Sequence, residues 1–267
     1  MLQEKFLVVV DSAHSEHLAL NRIVNFAAGQ MHSGMCVHVF IGFEGQDLTQ
    51  PDQPLEVVRG RNWLGELLVP LEDSGVKFTA ELFWTQDWET SIINAARRTE
   101  ADMIVISQTS AINKKSLTDS IWSLLRNSEV PVLTIESAAP ARRENILVAV
   151  NMQTTDDEYD QLNRKVLLQG QMMAEFYSAR LHVVNAYFDS EDYPDRDKVK
   201  RIIDINRQDI HVEMGKPEEI IANLTKQVQA DLVIMGTMSR RGIRATLRKN
   251  TSEKIIKKLT VDVLTMN

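Results

Sequence analysis

Apolar positions along the chain come in short, nearly unbroken runs rather than in alternation with polar ones. Ten such runs, rich in Val, Ile and Leu, fall at residues 6–10, 36–41, 77–83, 103–106, 132–135, 146–150, 181–186, 210–213, 232–235 and 263–266. A strand that is apolar on both faces fits a parallel sheet covered by helices on both sides. Between these runs, "SEHLALNRIVNFAAGQM" (15–31) and "PEEIIANLTKQVQ" (217–229) place apolar residues three and four apart, the spacing of an amphipathic helix. Alternating strands and helices predict an α/β fold. In open sheets of that kind a ligand sits beyond the carboxyl ends of the strands, where the strand order reverses.

The runs repeat in order. "EKFLVVVD" (4–11) matches "ENILVAVN" (144–151), "LNR" (20–22) returns at 162–164, and "VHV" (37–39) returns as "LHV" (181–183). Further on, "ADMIVIS" (101–107) returns as "ADLVIMG" (230–236) and "VPVLTIE" (130–136) as "VDVLTMN" (261–267). One domain has been duplicated, with a shortened middle in the second copy. Small residues and Pro140 in "ESAAPARRE" (136–144) mark the boundary, which predicts domains at 1–139 and 140–267.

Composition changes this picture little. The 267 residues are 43% hydrophobic and 25% charged, with a net charge of −7, as in a soluble globular protein. No run of 18 apolar residues occurs and the N-terminus lacks a signal-peptide pattern, so a cytoplasmic protein away from membranes is expected. The single cysteine, Cys36, stands in an apolar run and reads as a small packed side chain. Charge is uneven: residues 1–140 carry 10 Lys and Arg against 18 Asp and Glu, and residues 141–267 carry 20 against 19. Arg240, Arg241, Arg244, Arg248, Lys249, Lys254, Lys257 and Lys258 crowd one segment that calls for a small anion or forms a solvated face.

Most catalytic and binding patterns are missing. Neither G-x-G-x-x-G nor G-x-x-x-x-G-K-[ST] occurs, which argues against dinucleotide and P-loop chemistry. His14 and His17, beside Asp11 and Glu16, have metal-ligand spacing, but histidines at a helix start more often bind nothing. His38 and His182 occupy equivalent strand positions and read as repeated packing or hydrogen-bonding groups. Trp84 and Trp88 read as core or interface aromatics. The arginines carry no interleaved aromatics, and the chain is acidic, so DNA and RNA are disfavoured as partners. No nucleophile and base stand at interpretable spacing, so no enzyme is expected.

The stretches "ILVAVN" (146–151), "LHVVNAY" (181–187), "VEMGKPEEIIANLTKQVQADLVIMGT" (212–237) and "NTSEKIIKKLTVDVLTM" (250–266) resemble the universal stress protein family, and the duplication resembles its tandem, E-type members. The resemblance implies two tandem five-stranded parallel sheets of strand order 3-2-1-4-5, an adenine nucleotide alpha hydrolase-like fold. It also implies an ATP loop of the form G-x2-G-x9-G-[ST]. Gly236 matches the first glycine, Ser239 and Lys249 stand where the next two belong, and Asn250 takes the Ser/Thr position ahead of Thr251. Asn151 falls where relatives place an Asp facing adenosine, and Val183 where a strand residue contacts adenine through its backbone. Asp11 and Val39 are the counterparts in the first copy, whose loop 107–120 has no glycine. Asn250 and Glu253 have the spacing of a capping box, which would satisfy the same amides internally.

Two functions stay open. One is a stress-response protein that binds and signals through an adenine nucleotide such as ATP, held in the second copy with no metal beyond its magnesium. The other is an interaction protein with a protein partner and a lapsed site. In both, the copies form an intramolecular pseudo-dimer through their last strands. A valine at Gly236 is expected to weaken nucleotide binding, and one at Ser107, the equivalent position, to leave it untouched.

Overall fold

A computed structural model describes residues 4–11, 16–29, 34–44, 54–85, 87–107, 119–136, 139, 142–237 and 251–267. The chain packs as two compact units, Met1–Ser107 and Gln108–Asn267.

In the first unit β1 (Lys5–Asp11), β2 (Cys36–Glu44), β3 (Lys77–Thr85) and β4 (Met103–Ser107) form parallel pairs in the order β3-β2-β1-β4. Helices α1 (Leu18–Gly29), α2 (Pro54–Ser74) and α3 (Trp88–Thr99) alternate with them. Leu7, Val8, Phe40, Ile41 and Ile104 are fully buried, as expected for strands covered on both faces.

The second unit begins with α4 (Asp119–Asn127) and β5 (Val132–Ile135) of the first copy. There follow β6 (Asn145–Val150), α5 (Asp157–Tyr177), β7 (Arg180–Tyr187), α6 (Asp197–Lys200), β8 (Ile210–Met214), α7 (Pro217–Gln227), β9 (Leu232–Gly236), α8 (Thr251–Ile256) and β10 (Asp262–Met266). Taken by itself, the second copy has strand order β8-β7-β6-β9-β10, which is 3-2-1-4-5 in its own numbering. All these pairs are parallel.

The expectation of two separate five-stranded sheets needs correction. Strand β5 pairs antiparallel with β10, so six strands, β5-β10-β9-β6-β7-β8, from both copies share one sheet in this unit. Each terminal strand would otherwise present unpaired backbone groups at a sheet edge. Leu133 stands opposite Leu264, its equivalent in the repeat, which puts a local twofold at that pair. The hydroxyl of Thr134 donates to the Val263 carbonyl at 3.1 Å, and that of Thr265 to the Val132 carbonyl at 3.2 Å. Arg143, buried beside this junction, pairs with buried Asp262 and donates to the Asp231 carbonyl at 2.7 Å.

The repeated "AD" has a structural cause. Glu100 and Gln229 both end a helix in the left-handed region at φ 52°, and the alanine after each donates back into the last turn. The aspartate then caps the first strand of its copy. Asp102 accepts from the Lys5 amide at 2.8 Å, and Asp231 accepts from the amides of Glu144 and Asn145 at 2.6 and 2.9 Å. No described helix is long and apolar enough to cross a membrane.

Candidate functional site

Strand order reverses around β6 in the second copy, which has β7 on one side and β9 on the other. Ala149 lies opposite Met235, so β6 and β9 leave the sheet side by side. The chain beyond β6 is held from three directions. Asn163 of α5 accepts from the Asn151 amide at 3.0 Å and donates to the Asn151 carbonyl at 2.7 Å. Asn185 of β7 accepts from the Met152 amide at 2.6 Å and donates to Gln153 Oε1 at 2.8 Å. Lys198 of α6 donates to the Met152 carbonyl at 3.0 Å, and Gln153 donates to the Ala186 carbonyl at 3.0 Å. Backbone groups that a strand end leaves unpaired are thus satisfied by buried neutral amides and one lysine.

The expected site residues divide into three groups. Asn151 lies at the switch point with its side chain exposed. Val183 is buried within the ladder, opposite Val148 on one side and Ile210 on the other, so Ala186 and Tyr187 are the β7 residues that reach the strand end. Ser239, Lys249 and Asn250, with the arginines from 240 to 248, lie outside the described residues. Thr251 opens α8 and is exposed. Glu253, proposed partner of Asn250 in a capping box, pairs with Arg126 of α4 at 2.5 Å.

Gly236 ends β9 for a reason the motif did not suggest. Its φ is not positive, and an added Cβ would meet the Leu162 side chain at 2.6 and 2.8 Å. The glycine therefore admits α5 close to the sheet. Thr237 then fixes the way out: its amide donates to the Met266 carbonyl at 2.7 Å. Its hydroxyl, 2.8 Å from the Leu125 carbonyl and 2.7 Å from Asn267 Oδ1, serves one of them at a time. Asn267 also donates to the Ser128 carbonyl at 2.8 Å, and Lys257 lies 5.5 Å over the Trp122 ring. Helix α4 of the first copy is thereby docked against the end of the second.

In the first copy two side chains close in on the corresponding strand ends among the described residues. The indole of Trp88 lies over Gly42, where an added Cβ would stand 2.3 Å from the ring, and meets Phe40 edge-on at 6.4 Å. The Ser107 hydroxyl accepts from the Ala19 amide at 3.1 Å, so it caps the first turn of α1. Ser107→Val is consequently no neutral control for Gly236→Val, because it would strand that amide. Asp11 ends β1 and Val39 is buried in β2.

His38, His182 and His211 lie away from this end. His38 Nδ1 is 2.6 Å from Thr79 Oγ1 on β3, and the half-buried Cys36 thiol is 3.8 Å from His38 Nε2. His182 Nδ1 is 3.2 Å from His211 Nε2 on β8, near the amino ends of both strands. Arg180 grips Asp209 Oδ1 with two donors at 3.0 and 2.7 Å. His17 packs edge-on against Trp63, and His14 lies outside the described residues. Among the described residues no three His, Cys, Asp or Glu side chains are arranged to hold a metal.

Burial is the main cause that lowers the pKa of both His182 and His211 below 6.5, and the opposing pull of Asp209 on His182, and of Glu213 and Asp209 on His211, does not cancel it. A folded state that binds fewer protons than the unfolded chain gains stability as pH rises. This contribution is whole above the unfolded value and is lost as pH falls below 6.5. Urea unfolding between about pH 7 and pH 5 is expected to show a decline of at most about 1.4 kcal/mol per pH unit for each proton. His211→Gln should flatten that decline; an unchanged slope would assign it to other groups.

The groups that sequence reasoning missed are Asn163, Asn185, Gln153, Lys198 and Thr237. Asn163 carried one signal, a polar residue among Leu162, Val166 and Leu167 on the buried face of α5. Its equivalent Asn21 is exposed, so the shared "LNR" does not mean a shared role.

Residues 142–266 match the family model described as the Universal stress protein family. The chain is 26% identical to Universal stress protein E of Escherichia coli K12, over 98% of this chain and 93% of that one. Among solved structures, a functionally unknown protein of Pseudomonas aeruginosa PAO1 superposes with a TM-score of 0.78 at 22% identity, over 98% of this chain and 92% of that chain. A universal stress protein of Archaeoglobus fulgidus DSM 4304 gives 0.72 at 17% identity, over 100% and 97%. At these identities the two structures speak for the fold alone.

Proposed function

The chain belongs to the universal stress protein family through residues 142–266, and from that premise we propose a cytoplasmic stress-response protein that binds and signals rather than catalyses, with a weak adenine-nucleotide site in its second copy. Asn151 carries this reading. Its backbone is held on both sides by Asn163, whereas no described residue bonds its exposed side-chain amide. A rigidly mounted donor and acceptor at the strand switch suits a ribose hydroxyl. Magnesium would arrive with the nucleotide. The first copy, with Trp88 over Gly42, takes no ligand at its strand ends. The repeat boundary between 139 and 140 remains the proposed domain division, since duplication and compact packing divide the chain by different criteria.

Calorimetric titration with ATP and magnesium tests the reading. One site per chain is expected, and Asn151→Ala should weaken it about five-fold, the effect of one lost hydrogen bond near 1 kcal/mol. The variant keeps the backbone bonds to Asn163, so its stability should not change. A second reading, an interaction protein with a lapsed site, draws on the closed network of Met152, Asn185, Gln153 and Lys198. Absence of heat from the native chain at saturating nucleotide would favour it.

A further inference from the structure

Helix α5 presents two faces. Leu162, Asn163, Val166, Leu167, Gly170 and Ala174 are buried against its own unit. On the opposite side Gln161, Lys165, Leu168, Met172 and Glu175 are all exposed, Leu168 by 46% and Met172 by 54%. Their spacing of four, three, four and three is that of the a and d positions of a coiled coil, over a helix of 21 residues. Among the described residues Lys165 makes no ion pair, and the Glu175 carboxylate accepts a hydrogen bond from Gln171 at 2.7 Å but pairs with no cation.

We propose that this face is a homodimer interface, in which α5 of one chain packs antiparallel against α5 of a second copy. The self-complementarity of the stripe selects that occupant. Around a twofold at the level of residue 170, Leu168 meets Met172 of the second chain, and Lys165 meets Glu175, twice each. The four central positions, 165, 168, 172 and 175, thus each find a partner of matching chemistry, as an isologous interface requires, while Gln161 faces the chain beyond the end of the partner helix. Parallel pairing would instead set Lys165 against Lys165 and Glu175 against Glu175, which like-charge repulsion disfavours. A lipid surface would meet a stripe with a charge at each end and only two apolar side chains between them. One helix per chain makes a small interface, so the dimer should dissociate at about 1–100 μM.

Sedimentation equilibrium of the full chain across about 1–300 μM reads the outcome directly. The mass is expected to rise from 30.3 kDa towards twice that value. Met172→Glu should hold it at the monomer. Lys165→Glu should weaken association at least about ten-fold, and Lys165→Glu with Glu175→Lys should restore it, since the swap recreates both pairs with signs reversed. All these side chains are exposed, so melting temperatures should match the native chain. A native chain that stays monomeric would overturn the proposal, as would a dimer indifferent to Met172→Glu or a charge swap that fails to restore it.

Discussion

Replacing Asp262 by Ala is expected to lower the unfolding free energy by about 3–5 kcal/mol, the usual effect of removing one member of a buried ion pair. Asp262 is wholly buried; one carboxylate oxygen pairs with Arg143 and the other accepts the Glu136 amide at 2.8 Å. The mutation therefore leaves a guanidinium and a backbone N–H without this partner in a low-dielectric interior. Arg143 also holds the Asp231 carbonyl, and Asp231 caps the start of β6, so the damage should reach the first strand of the second copy. Arg143→Met combined with Asp262→Leu should lose much less, because no charge is then stranded. Urea unfolding of the two single variants and the double variant measures this. A loss below about 1 kcal/mol for Asp262→Ala would mean that water reaches the pair.

Gly236→Val is expected to cost about 1–3 kcal/mol, because the new Cβ overlaps Leu162 and α5 must shift or Leu162 must leave its rotamer. Loss of nucleotide binding in this variant alone would not distinguish a phosphate role from a packing role. Adding Leu162→Ala separates the two: it should return part of the stability by making room for the valine. If binding returns with stability, Gly236 serves packing. If stability returns and binding does not, the glycine also admits the ligand. A single variant as stable as the native chain would show that α5 yields easily at this point.

Why so much of the fold was legible is clear from the strands. Residues buried on both faces must be apolar without interruption, so the expected runs at 6–10, 146–150 and 232–235 fall within one residue of β1, β6 and β9 at either end. The duplication was legible for the same reason, since a repeated core repeats its sequence. Strand partnership was harder, because it depends on which edges meet rather than on local pattern. The need to close two strand edges points to pairing of the final strands, and that pairing makes one sheet common to both copies. The candidate site was least legible. Glycines and arginines advertise phosphate chemistry, and that signal points to Gly236, Ser239 and Lys249. The strand end is in fact built by Asn163, Asn185 and Gln153, neutral amides whose role depends on distant backbone groups, 12 and 33 residues away for the first two. No local spacing encodes such bonds.

A crystal structure grown with ATP and magnesium tests the central claim most directly. The expected result is one nucleotide per chain, beyond the carboxyl ends of β6 and β9, with its ribose against the Asn151 side chain and the Trp88 indole still seated on Gly42. Nucleotide at the strand ends of the first copy with Trp88 displaced, or a second copy empty at saturating ATP, would contradict it.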